Sequence, residues 1–103
     1  MSVSGPTPDR PTYEADFRRS VDIFEKSFKN IQDSKFDAQK AQYVKVMHES
    51  LRAMQESASG MVNDKLREMK NNLSHDLDDY ISSPTDDHKV KVEKDINQMK
   101  RAV

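Results

Sequence analysis

Residues 44–61, VKVMHESLRAMQESASGM, decide the fold. Their apolar side chains fall at Val44, Met47, Leu51, Met54, Ala58 and Met61, in alternating steps of three and four. A half-buried strand would alternate with period two, whereas alternating steps of three and four put all six residues on one side of a helix. That side is removed from water only if other helices cover it, so the stretch predicts an all-α bundle. The seam of Met, Leu and Ala offers no nucleophile, general base or metal ligand, and it predicts no reaction.

Upstream, Phe17, Val21, Phe24, Phe28 and Ile31 repeat the same stepping and gather three of the four Phe of the chain. Arg18, Arg19, Asp22, Glu25, Lys26 and Lys29 fill the other faces, and Thr12 is expected to cap this first helix. Lys35 stands where the seam should continue, so a break is expected at Asp33–Ser34, with Asp33 or Ser34 capping a second helix that carries Phe36 and Tyr43 ahead of the central stretch. Downstream, Ser57, Ser59, Gly60 and Asn63 crowd weak helix formers together. They predict a turn, with Gly60 in the left-handed conformation open to glycine. The seam then resumes at Val62, Leu66, Met69, Leu73, Leu77 and Tyr80 or Ile81.

In Ser83-Pro84-Thr85-Asp86-Asp87, Ser83 is the expected cap and Pro84 the first helical residue, and Val92, Ile96, Met99 and Val103 form the seam of a last helix. The expectation is an up-and-down bundle of four helices over 12–32, 34–58, 62–82 and 84–101, in one domain from 12 to 103. Met1–Pro11, with three Pro, is read as a flexible tail. The alternative is a single helix from 34 to 82 that pairs with a second copy as a coiled coil.

Composition narrows the function. Hydrophobic and charged residues each make up 34% of the chain, so the core is thin for 103 residues. Seventeen Lys plus Arg against 18 Asp plus Glu give a net charge of -1, and no cationic tract announces nucleic-acid binding. No apolar run approaches the roughly 20 residues of a membrane span, and no apolar secretory segment opens the chain. The expected setting is therefore cytoplasmic. The absence of Cys removes thiolate and disulfide chemistry.

His48, His75 and His88 stand in no metal-binding motif, and the nearest ligand group is His75 with Asp78 and Asp79. Carboxylates at helix ends have a simpler reading as partners of the helix dipole, so no metal is expected. With no Gly-Xaa-Ser-Xaa-Gly elbow and only two Gly, no catalytic residue, cofactor or small-molecule substrate is expected either. Met47, Met54 and Met61 recur every seven residues. Flexible thioethers suit surfaces that repack around partner helices, so these three and Leu51 are the candidate partner-binding residues, and the simpler reading is that they are plain core. The sequence thus reads as a non-catalytic interaction module, an adaptor, small chaperone or assembly subunit, that binds a protein partner or itself. The alternative is a homomeric coiled-coil scaffold. If the Phe seam is core, Phe24→Ala should cost about 3–5 kcal/mol in denaturant unfolding, and a loss below about 1 kcal/mol would mean an exposed ring.

Overall fold

The computed structural model describes residues 10–103 except Phe36. The expected tail, up to residue 9, and the place of Phe36 in the second seam lie outside the described residues. Four helices run antiparallel in chain order: α1 Arg10–Asp33, α2 Asp37–Gly60, α3 Asp64–Ser82 and α4 Asp86–Ala102. Each packs on the next and α4 closes against α1, which makes an up-and-down bundle.

The expected seams form one core. Phe17, Val21, Phe24, Phe28, Met47, Leu51, Met54, Ala58, Leu66, Leu73, Leu77, Val92, Ile96 and Met99 are buried, with Ile31 and Met61 at the margin. Met69, Tyr43, Val44 and Val103 pack against it half-buried. Across the core the rings of Phe28 and Tyr80 meet edge-on with centroids 5.1 Å apart, and Tyr80 is turned inward while Ile81 stays outside.

Four serines share this interior: Ser20 and Ser27 on α1, Ser50 and Ser57 on α2. Each pair is seven residues apart and flanks a seam residue, so small side chains lie where α1 and α2 approach. Burying an unpaired hydroxyl costs about 1–3 kcal/mol. Ser20 avoids that cost by donating to the Asp16 carbonyl, and Ser50 by donating to that of Val46, each at 2.9 Å.

The stretch after Met54 resolves into a turn, and 34–82 is two helices. Its chemistry differs from the expectation. The Asn63 amide donates to the Ala58 carbonyl at 3.0 Å and the Val62 amide to that of Ser59 at 3.1 Å, the pair of bonds that closes a helix around a left-handed residue. That residue is Val62, with φ 52°, and not Gly60. Val62 also leaves the expected seam, since it is 81% exposed. Gly60 is the last residue of α2 and serves another purpose: a Cβ there would lie 2.7 Å from Cδ1 of Tyr13 and closer still to the next ring carbons. Glycine lets the Tyr13 ring of α1 lie on the end of α2. Asn63 then starts α3, its Oδ1 accepting from the Leu66 amide at 3.0 Å.

Three other termini shift. α1 begins at Arg10, so Thr12 lies inside it and does not cap it. Ser34 belongs to the end of α1, where its hydroxyl donates to the Asn30 carbonyl at 2.9 Å. The cap of α4 is Thr85, whose Oγ1 accepts from the His88 amide at 3.3 Å. Ser83 ends α3, its amide donating to the Asp79 carbonyl at 2.9 Å, so Pro84 precedes the cap and is outside the helix.

At 1.5 Å per residue, α1 and α2, with 24 residues each, are about 36 Å long, against about 28 Å for the 19 residues of α3 and about 26 Å for the 17 of α4. The α2–α3 turn is only three residues long, so the surplus of α2 over α3 falls at its N-terminal end. The two cases at the turn can be separated by substitution. A β-branched left-handed residue costs roughly 1–2 kcal/mol, and glycine returns about 0.5–1 kcal/mol of that as unfolded-state entropy. Val62→Gly should therefore stabilise the fold by about 0.5–1 kcal/mol in urea unfolding. Gly60→Ala should destabilise it by about 1 kcal/mol through displacement of the Tyr13 ring, yet stabilise it in a Tyr13→Ala background, where helix propensity alone acts. The same sign in both backgrounds would show that the ring is not the constraint.

Candidate functional site

The methionine seam does not lie at the surface. Met47, Met54, Met61 and Leu51 all sit in the core, so in this closed bundle they present no face to a partner. What the surface offers follows from the unequal hairpins. From Asp37 to Val46 no described side chain of α2 is fully buried, and towards its start, before about Val44, α2 runs past the end of α3. The register is marked by His48, whose Nε2 lies 3.9 Å from an Asp78 carboxylate oxygen, with the last turn of α3 beside Val44.

A groove of about 350 Å³ occupies this step. Its walls are Ile31 and Gln32 of α1, Lys40, Ala41 and Val44 of α2, Tyr80 and Ile81 of α3, and Pro84 of the following turn. Ile81 is 41% exposed, a large apolar side chain open to water at the rim. Tyr80 is held by Phe28. Burial, with the Asp86 and Glu93 carboxylates nearby, pushes its phenol up from the ordinary value, so it stays a neutral hydroxyl. Through Ala41 and Val44 the groove runs into a second hollow of about 470 Å³ lined by Lys45, His48, Glu49 and Arg52. Together they follow the outer flank of α2 for more than three turns.

The nearest thing to a ligand group in the sequence, His75 with Asp78 and Asp79, does not gather. His75 faces Asp79 at 3.8 Å on its own helix, while Asp78 turns to His48 on α2. Among the described residues no three His, Asp or Glu side chains gather as a metal site would require. His88 is engaged at the α3–α4 turn, its Nδ1 2.6 Å from the Ser83 carbonyl oxygen.

One acidic pair does form. Asp95 of α4 has an enclosed Oδ2 that no donor reaches, and the group acting on it across the helix interface is the Asp76 carboxyl of α3. Two carboxylates cannot hydrogen-bond each other unless one carries a proton. Desolvation, then the hydrogen bond to Asp76 and its charge, push Asp95 up to about 7, opposed by Lys94. Sequence reasoning missed this pair and the groove. Asp95 stands alone in its helix pattern, but the spacing of the punctuation already makes the second helix longer than the third.

No protein-family model, curated protein or solved structure matches this chain, so the reading of the site rests on its own residues. The acidic pair has a definite sign. The folded chain keeps a proton on Asp95 that the unfolded chain releases near the ordinary carboxyl value, 3.8. The contribution of this pair is thus fullest below about 4 and is lost as pH rises towards about 7. Asp95→Asn should flatten that part of the melting-temperature profile and raise the melting temperature at neutral pH. An unchanged slope would show that the pair holds no shared proton.

Proposed function

We propose that this protein is a non-catalytic helical interaction module, of the adaptor, small-chaperone or assembly-subunit kind, that receives a protein partner in the groove between α2 and the end of α3. The observation that carries this reading is the thinly covered start of α2, 37–46, beside the exposed Ile81, in a bundle whose core is otherwise closed. Ligand grooves with apolar floors and a few placed polar groups are what helical bundles use to seat partner segments. The lining favours binding over chemistry: Ile31, Ala41, Val44, Ile81 and Pro84 offer no acid, base or nucleophile, the Tyr80 phenol is held neutral, and Lys40 and Gln32 have no catalytic partner among the lining residues.

The methionine seam fits the same role only if the two hairpins part. The competing reading, a homomeric scaffold, drew on one helix from 34 to 82, and the turn at 61–63 removes that support. A cytoplasmic setting belongs to the proposal too; among the described residues no helix is long and apolar enough to cross a membrane.

Photo-crosslinking in cells tests the face directly. A benzophenone side chain at Ile81 or Ala41 should give discrete protein adducts, and one at Gln98 or Glu68, on exposed helix surface elsewhere, should not. Equal adducts at all four positions, or none at 81 and 41, would contradict the assignment.

A further inference from the structure

α4 is the shortest helix of the bundle and the most lightly held, and its two seams differ in chemistry. Val92, Ile96 and Met99 give it a buried apolar side. Towards α1 the joint is incomplete: a hollow of about 290 Å³ lies between Phe28 and Lys29 of α1 and Ile96 and Asn97 of α4, and the polar tie there is Lys100 on Glu25 at 2.6 Å. Towards α3 the polar pair is Asp95 with Asp76, two acids facing each other across the seam. Asp95 Oδ2 is shut off from water and no donor reaches it. Ionised together, the two groups would be like charges at hydrogen-bond range; with one proton between them the same geometry is a hydrogen bond.

The other ionisable groups around α4 are differently placed. On α3, Asp79 is engaged by His75 at 3.8 Å, and Tyr80 is subject to burial and then to the Asp86 and Glu93 carboxylates. On the α1 side of α4 stand Glu25, Lys29 and Glu93, with Glu25 held by Lys100. On α4 itself Lys91 is exposed, and Lys94 opposes the protonation of Asp95 without giving its Oδ2 a donor. His88 is engaged with the Ser83 carbonyl at the turn.

We infer that α4 is a proton-latched helix: the proton held between Asp76 and Asp95 keeps it on α3, and loss of that proton lets α4 leave the bundle ahead of global unfolding. The latch is separate from the groove on α2 and goes beyond the interaction-module reading. Its sense is fixed by the raised acid. In the closed bundle Asp95 is pushed up to about 7, whereas in a released helix it meets water and returns towards 3.8. Opening therefore becomes more frequent as pH rises from about 4 to about 7, by up to about tenfold per pH unit, and levels off above that. Departure of α4 withdraws Val92, Ile96 and Met99 from the core and turns the apolar faces they cover to water. The α1–α2 pair, with its own enclosed rings and thioethers, is left in place.

The test is amide exchange of the full chain labelled with nitrogen-15, followed by NMR from about pH 5 to about pH 8, each rate divided by the intrinsic rate at that pH. Amides of residues 92–99 should be less protected than those of 47–58 and less sensitive to added urea, the mark of a partial opening. Their protection should fall by about tenfold or more between about pH 5 and about pH 7 and then level off. Asp95→Asn and Asp76→Asn should each remove that fall, because an amide donates to the remaining carboxylate without a titrating proton. Lys100→Gln, which cuts the tie to α1, should lower the protection of α4 yet leave its pH dependence in place. Equal protection and equal urea sensitivity of 92–99 and 47–58 at about pH 8 would show that the proton governs global unfolding alone, and would overturn the latch. A pH dependence that survives both Asn variants would overturn it as well, and its disappearance in His88→Gln would move the titrating group to the turn.

Discussion

The interlock of α1 with α2 is the constraint on which the rest of the molecule depends. Phe17, Phe24 and Phe28 from one side and Met47 and Met54 from the other are fully enclosed, and buried serines flank these seams where the backbones approach. Large rings supply the apolar area, flexible thioethers fill the irregular space between them, and the serines keep bulk away from the contact. A small chain with 34% hydrophobic residues has little other area to bury. The α3–α4 hairpin covers the remaining open side with Leu66, Leu73, Leu77, Val92, Ile96 and Met99. Lys100 ties it back to α1 through Glu25 at 2.6 Å.

The covering hairpin is shorter than the one it covers, and that inequality sets the candidate site. At the Gly60 end the helices finish together, with Tyr13 folded over the glycine and Val62 forced into a left-handed turn. At the other end α3 stops beside Val44 and α2 runs on past it. The same strip of Ala41 and Val44 that would have been core in a longer bundle becomes the floor of a groove, and the polar flank that would have been plain solvated surface becomes its rim. Residues around such a step gain less from packing than those in the middle of the helix, so their local stability is lower.

Most of the architecture was legible because seam spacing survives any error in helix boundaries. Phe17 through Ile31 and Met47 through Ala58 could be assigned from stepping alone. What the pattern could not supply was capping chemistry, since several Ser, Thr and Asp stand within one turn of each terminus and only the geometry chooses among them. Thr85 displaced Ser83, and Ser34 closed α1 without opening α2. Gly60 misled in a more instructive way. A glycine near a helix end suggests a left-handed residue, but here close approach of a ring accounts for it, two positions away from the backbone strain. The site was less legible: the methionine repeat marked core, and the groove arose from a difference in helix length that no single residue records.

Residue-resolved hydrogen exchange on the full chain tests this account most directly. Two packed hairpins of unequal length predict that amides from Met47 to Ala58 exchange only with global unfolding, that those from Lys40 to Val46 exchange much faster although helical, and that protection breaks at Val62. Uniform protection running unbroken from Lys40 through Leu77 would contradict it, since that is the signature of a single long helix covered along its whole length.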